Sequence, residues 1–311
     1  MIKICFVLLM LIMVTFSCKK IRDDLLPVGT SKLYCQSILN PDSAIRVCVG
    51  KSTGILNNEK AYVVDASVLL YENNIFIDTL SNETNGKYFS AIKPSIGKEY
   101  TIKVIKDGIL TGSTIIPDST KLIDPEIEFP TGYDAVNQQY YGNLTFTIDD
   151  NTSIENYYEV VIFSKSYYTT DNKYTYQYAN DPNYILVPDK VVQNEGDWDY
   201  FPSTVFFSDK LFNGKKQTLS FSITSGSYII NGERFSDLSY IGYILLRSIS
   251  KEYYLYRKYY TRHAFNSQIH DDGIQNMLFT GEPLDMYTNV TGGIGVVAGF
   301  SSTISKIKGH K

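Results

Sequence analysis

The sequence predicts an all-β, mainly antiparallel fold carrying one helix, and three observations predict it. Tyr 26 and Phe 16 against Trp 1 and Met 5 is an aromatic excess of the kind strands favour. Short runs that alternate apolar and polar residues recur from residue 31 to the end, punctuated by Asn-Gly, Asp-Gly and Asn-Pro steps. A single stretch, residues 250–265, breaks that rhythm with helical spacing.

Taken in order, SKLYCQSIL and AIRVCVGKS flank Asn40-Pro41-Asp42-Ser43 and form an opening hairpin. The run AYVVDASVLLYENNIFIDTL holds two β-rich segments joined at Glu72-Asn73-Asn74. Asn85-Gly86 then turns into KYFSAI, and EYTIKVIKDG and ILTGSTII meet at Asp107-Gly108. Seven short strands at this spacing predict an N-terminal immunoglobulin-like or transthyretin-like β-sandwich over residues 31–116. Residues 117–138 hold Pro117, Pro125 and Pro130 without strict alternation and are expected to be a linker. A second, larger β domain is expected over 139–311. It opens with GNLTFTIDD and YYEVVIFSKSYY, passes through a long loop at 182–202, and continues with STVFFSD, QTLSFSI and YIGYILLRSIS. Ser250 is placed to cap the helix, with Glu252 in its first turn, and NVTGGIGVVAGFSSTIS reads as a closing glycine-rich strand.

The N-terminus predicts location. Lys3 precedes a thirteen-residue apolar run from Ile4 to Phe16, interrupted only by Thr15, and Ser17-Cys18 follows. As a helix that run reaches about 20 Å, short of a hydrocarbon core of about 30 Å, so residues 1–17 read as a signal peptide. The cysteine after a small residue resembles a bacterial lipoprotein cleavage site, which makes Cys18 the lipidation site and residues 18–30 a lipidated tether. The alternative is an ordinary secreted protein from which Cys18 is trimmed. Removal of residues 1–17 takes away Lys3 alone and leaves 28 basic against 33 acidic groups, a net charge of −5. With no run of five like charges, that balance excludes an electrostatic grip on nucleic acid.

Two cysteines remain in the body. If the hairpin turn is centred between Pro41 and Asp42, Cys35 and Cys48 face each other within disulfide reach; otherwise they are two thiols packed as small hydrophobes.

The candidates for chemistry are few. GIGVVA at 293–298 fits a loose dinucleotide-binding pattern, but too little chain follows for the helix and acidic residue that pattern needs, and its glycines suit close backbone approach in a strand. His263 and His270 with Asp271 and Asp272 are the single histidine–carboxylate cluster, and they read as a helix end with a loop rather than a metal site. Glu195, Asp197 and Asp199 surround Trp198 in NEGDWDY, which reads either as a ligand-contact loop or as solvated acids. Tyr157, Tyr158, Tyr167, Tyr168, Tyr174, Tyr176 and Tyr178 read either as a recognition surface or as ordinary strand residues. No nucleophile, base and orienting group assemble, so the expectation is a non-enzyme with no catalytic residue, metal or cofactor.

The strings DASVLLYE, GKEYTIKV, FTIDD, NYYEVVIF, FFSDKLFNG, LLRSISKEYYLYRKYY and EPLDMYTNVTGGIGVVAGFSS, in this order after a lipoprotein cysteine, resemble domain-of-unknown-function family 4249, lipoproteins of Bacteroidota. SISKEYYLY and YTNVTGGIGVVAG are the most specific pieces. The resemblance implies an outer-membrane, lipid-anchored protein of two β domains, often encoded beside TonB-dependent receptors, with no established activity. It supplies no catalytic residue. Two functions follow as expectations: an accessory or binding protein that works with a TonB-dependent receptor in nutrient uptake, or a stand-alone surface binder of glycan or peptide acting through the 182–202 loop.

Overall fold

The structure, a computed structural model, describes residues 30–53, 61–135, 139–150, 154–170, 175–182, 185–196, 204–224, 229–230, 233–234, 242–267 and 285–310. The first eight strands are β1 (Leu33–Leu39), β2 (Ile45–Lys51), β3 (Ala61–Tyr62), β4 (Ser67–Glu72), β5 (Ile75–Thr84), β6 (Lys87–Ser90), β7 (Glu99–Ile105) and β8 (Ile109–Ile115). Next come β9 (Lys121–Asp134), β10 (Gln139–Asp149), β11 (Tyr157–Thr170), β12 (Thr175–Pro182) and β13 (Ile185–Val187), then a short helix α1 (Lys190–Gln193). β14 (Thr204–Ser208), β15 (Lys216–Thr224), β16 (Ile229–Ile230), β17 (Glu233–Arg234) and β18 (Gly242–Ile249) lead to helix α2 (Lys251–Ser267). β19 (Ile294–Lys306) and β20 (Lys308–His310) close the chain. The fold is all-β, with α2 where the sequence places its helix.

Turn chemistry explains the first half. Asn73 and Asn74 at positive φ join β4 to β5, Asn85-Gly86 joins β5 to β6, and Asp107-Gly108 joins β7 to β8. Asn and Gly tolerate the left-handed backbone that such tight hairpins demand. Alternation then sets the faces: Val68 and Leu70 of β4, Tyr100, Ile102 and Val104 of β7, and Leu110 of β8 point into one core with Cys35, Val47 and Val49.

The strands assemble into a thirteen-stranded sheet whose main path runs β12-β11-β18-β19-β1-β2-β6-β5-β4-β7-β8, with β14 on β11 and β3 on β2. A second sheet has the order β13-β15-β10-β9-β20. The sequence divides at 117–138, but the sheets do not. β19 pairs in parallel with β1, Cys35 opposite Gly295 and Ile38 opposite Ala298, and antiparallel with β18 on its other edge. Val290 and Val297 accordingly belong to the N-terminal core.

The expected linker is corrected. β9 lies within it and pairs with β10 from Asp134 to Lys121. Its prolines conceal the strand because they sit where the register breaks, Pro130 between Gly132 and Glu128, and Pro125 beside Asp124 at φ 43°. A bulge tolerates the missing N–H and the extra residue. The 182–202 loop likewise contains β13 and α1, with Ile185, Val191 and Val192 buried. Asp189 caps α1 by accepting from the Val191 amide at 2.9 Å.

The expected disulfide is also corrected. The hairpin register pairs Cys35 with Val49 and Gln36 with Cys48, one residue away from facing thiols. Successive strand residues point to opposite faces, so Cys35 lies in the core while Cys48 stays half-buried on the other side, and both thiols are free. Burial pushes the Cys35 thiol up to about 12.

β19 depends on Gly295. Its φ is 129°, and a Cβ there would stand 1.9 Å from the Cys35 carbonyl oxygen. Gly295→Ala is expected to destabilise the protein by about 2–4 kcal/mol in urea unfolding, from backbone strain and a disturbed β1–β19 ladder. Gly309→Ala, with open space around it, is the control and stays near neutral. Alkylation of the denatured, unreduced chain is expected to modify both Cys35 and Cys48.

Candidate charged seam beneath helix α2

β11 is used on both faces. Tyr158, Val160 and Ile162 face the five-stranded sheet, packing with Phe146, Phe207, Phe221 and Leu246. Tyr157 on the opposite face joins Phe206, Ile249, Tyr253, Tyr254, Val296 and Ala298 beneath α2. The second half therefore has three layers: sheet, sheet and helix.

α2 starts at Ser250, which accepts from the Tyr253 amide at 3.3 Å and whose own amide donates to the Gly299 carbonyl at 2.8 Å. The cap thus fixes both the helix start and its seat on β19. Glu252 accepts from Thr114 of β8 at 3.2 Å, a tie to the N-terminal strands.

Two carboxylates lie under the helix. Glu159, the third residue of β11, is fully buried and directly opposite Arg247 of β18. Arg247 reaches it at 2.5 Å, Tyr253 donates to it at 3.1 Å, and Arg257 approaches at 3.6 Å. Both guanidinium groups lie over rings, Arg247 over Phe300 at 4.8 Å and Arg257 over Phe206 at 5.6 Å. The second carboxylate is Glu195. It accepts from the Ser208 amide at 2.8 Å and hydroxyl at 2.9 Å, from Lys258 at 2.9 Å and from the Tyr254 hydroxyl. Burial works to raise the Glu195 pKa, but the hydrogen bonds from Tyr254, Ser208 and Lys258 together hold it below the ordinary carboxylate value. Tyr254 in turn packs against Tyr157, ring centroids 4.5 Å apart and tilted by 30°.

A third acidic group lies at the turn before β11. Asp150 accepts from the Tyr158 hydroxyl and Asn156 at 3.1 Å and from the Gly214 amide at 2.9 Å. Asp209 accepts from the Asn156 amide at 2.9 Å. Burial, with the neighbouring Asp150 carboxyl, pushes Asp209 up against the lowering effect of Asn156.

The sequence offers Glu195 as a ligand contact, and in the structure both its oxygens accept from the protein's own donors. Asp197, Trp198 and Asp199 lie outside the described residues, as do Cys18 and His270 to Asp272. His263 is within α2, its buried Nδ1 without a hydrogen-bond partner among the described residues. Among the described residues no group of three or more His, Cys, Asp or Glu is placed to hold a metal. The GIGVVA string runs into strand β19. Sequence reasoning missed Glu159, although a signal existed. Glu159 and Arg247 are lone opposite charges in two otherwise apolar strands, YYEVVIF and YILLRSI, which is how a cross-strand pair looks.

The family described as a domain of unknown function, DUF4249, matches residues 20–306. The chain belongs to this family. No curated protein matches. A solved structure described as a proposed membrane-anchored protein from Corynebacterium diphtheriae is similar over 70% of this chain and 54% of its own, at 13% identity and a TM-score of 0.21. The chain thus spans about half the length of that protein.

Removing one partner of a buried ion pair strands the other, at about 3–5 kcal/mol. Glu159→Ala is expected to cost in that range by urea denaturation, and Glu159→Gln less because it keeps the shape. Glu195 has a folded pKa below its unfolded value of about 4.3, so its contribution is present above that value and lost as pH falls through the folded pKa. Asp209 runs the other way: its contribution is present at low pH and lost as pH rises through its elevated folded pKa. Glu195→Gln is therefore expected to flatten the acid limb of the stability profile, and Asp209→Asn the limb above it.

Proposed function

We propose that this DUF4249 protein is a lipid-anchored, non-enzymatic binding protein of the outer membrane that serves a TonB-dependent receptor as an accessory in nutrient uptake. The leader ending at Ser17-Cys18 supports the anchor. The observation that carries the reading is the place of β1. The strand that follows the tether runs between β2 and β19 in the middle of the long sheet. A chain held by its N-terminus passes any pull into its first ordered strand, and a strand hydrogen-bonded on both edges is suited to bear it. The non-enzymatic reading is supported by the employment of the buried acids: Glu159 and Glu195 are matched to Arg247, Arg257 and Lys258 and fasten a helix.

Affinity capture of the tagged, membrane-anchored chain from gently solubilised outer membranes, followed by mass spectrometry, is expected to return a stoichiometric TonB-dependent receptor. Cys18→Ser is expected to abolish both lipid labelling and co-purification with membranes. Capture without a receptor, together with unchanged uptake when the chain is deleted, overturns the accessory role and turns attention to a stand-alone binder of glycan or peptide.

A further inference from the structure

The N-terminal sandwich has two ends, and the chain enters at one of them. Ser31 and Lys32 bond to Ser52 just beyond β2, the Ser31 hydroxyl donating to the Ser52 carbonyl at 2.8 Å. Lys51 bridges to Asp107 in the β7–β8 turn at 3.1 Å, and Lys106 to Asp65 at 2.5 Å. The entry point, the β7–β8 turn and the segment between β3 and β4 therefore share this end. A shallow cleft of about 450 Å³ between Ser31, Lys51, Asp107 and Gly292 marks it.

This end exposes large apolar side chains among its charged ones. Ile105 and Ile109 pair across the β7–β8 turn, and both are exposed, Ile109 by 54%. Val64, 56% exposed, and Tyr62 belong to the segment that Asp65 ties to Lys106 in the β7–β8 turn. Among the described residues, four exposed large apolar side chains thus lie at the end where the chain enters, together with two lysine–aspartate pairs.

We infer that this end of the sandwich is a lipid-contact face, on which Tyr62, Val64, Ile105 and Ile109 rest in the headgroup region of the membrane that holds the anchor. The inference rests on the lipid-anchor reading above. Eleven residues, 19–29, separate Cys18 from Thr30, so the acylated residue lies within about 40 Å of this end even at full extension. Apolar side chains beside balanced cation–anion pairs match a zwitterionic headgroup layer, where the side chains lose water contact and the pairs stay solvated. Exposed Ile75 and Phe76 lie at the β4–β5 turn, whose Asn73 amide bonds to the Glu99 carbonyl at the start of β7, the end opposite Ile105, and they serve as the control.

The test uses the full chain acylated at Cys18, reconstituted in vesicles of phosphatidylethanolamine and phosphatidylglycerol with brominated phosphatidylcholine as fluorescence quencher. Ile109→Trp and, as a second probe, Ile105→Trp each add an indole at the face, and Ile75→Trp adds one at the far end; the native Trp198 is common to all. Quenching at positions 109 and 105 is expected to exceed that at 75 by about twofold or more, as insertion to a depth of about 5–10 Å requires. Chains that float with the vesicles but show equal quenching at all three positions overturn the lipid face while leaving the anchor standing. Chains that do not float overturn the anchor, and the face with it. A photo-cross-linker at 109 that captures a protein rather than lipid in intact cells overturns the inference by assigning the face to a partner.

Discussion

The whole architecture depends on one pairing, the parallel ladder between the first strand and the thirteen-residue strand β19 near the C-terminus. It places β19 between β1 and β18, so the sheet of the N-terminal strands runs without a break into that of the second half. Gly295 allows it, because the Cys35 carbonyl occupies the space a side chain would need. Gly299 contributes on the same strand, its amide and carbonyl both engaged by Ser250 at the head of α2. One strand therefore sets the relation of the N-terminal strands, the β18–β11 strands and the helix.

The charged seam is a consequence of that layering. β11 lies between a sheet and a helix, and an alternating strand buried on both faces has no solvent side for Glu159. The cost of its burial is offset only because Arg247 is directly across the ladder and Arg257 and Tyr253 descend from α2. Replacement of a matched group of this kind by apolar residues is often neutral or stabilising, so its advantage lies in orientation: a helix with its own aromatic side could slide on an aromatic sheet, whereas two carboxylates with fixed partners permit one seating.

Local chemistry is legible in the sequence, and long-range chemistry is not. Asn73-Asn74, Asn85-Gly86 and Asp107-Gly108 announce hairpins because turn geometry is a property of two or three residues. Leu144, Phe146 and Ile148 announce a strand because the period is local, and Ser250 announces a helix start for the same reason. The expected register at Cys35 and Cys48 is off by one, since the span of a turn is not encoded by its centre. β9 is hidden by prolines that a bulge accommodates, and bulges become visible only against the partner strand. Glu195 looks like a surface acid among acids. Its role depends on Lys258 and Tyr254, 63 and 59 positions away on a helix whose seating sequence periodicity does not specify.

The pairing of the two ends of the chain also governs how the molecule comes to exist. A sheet whose central strand waits for residues 294–306 cannot close while those residues are still being made or moved, because its N-terminal half lacks the neighbour for β1. Contacts separated by some 260 positions fold slowly, since the intervening chain must lose its freedom before the contact returns any stability. A late-closing body of this kind remains open until its last strand arrives, so the order of the N-terminal strands is completed only when nearly the whole chain is present.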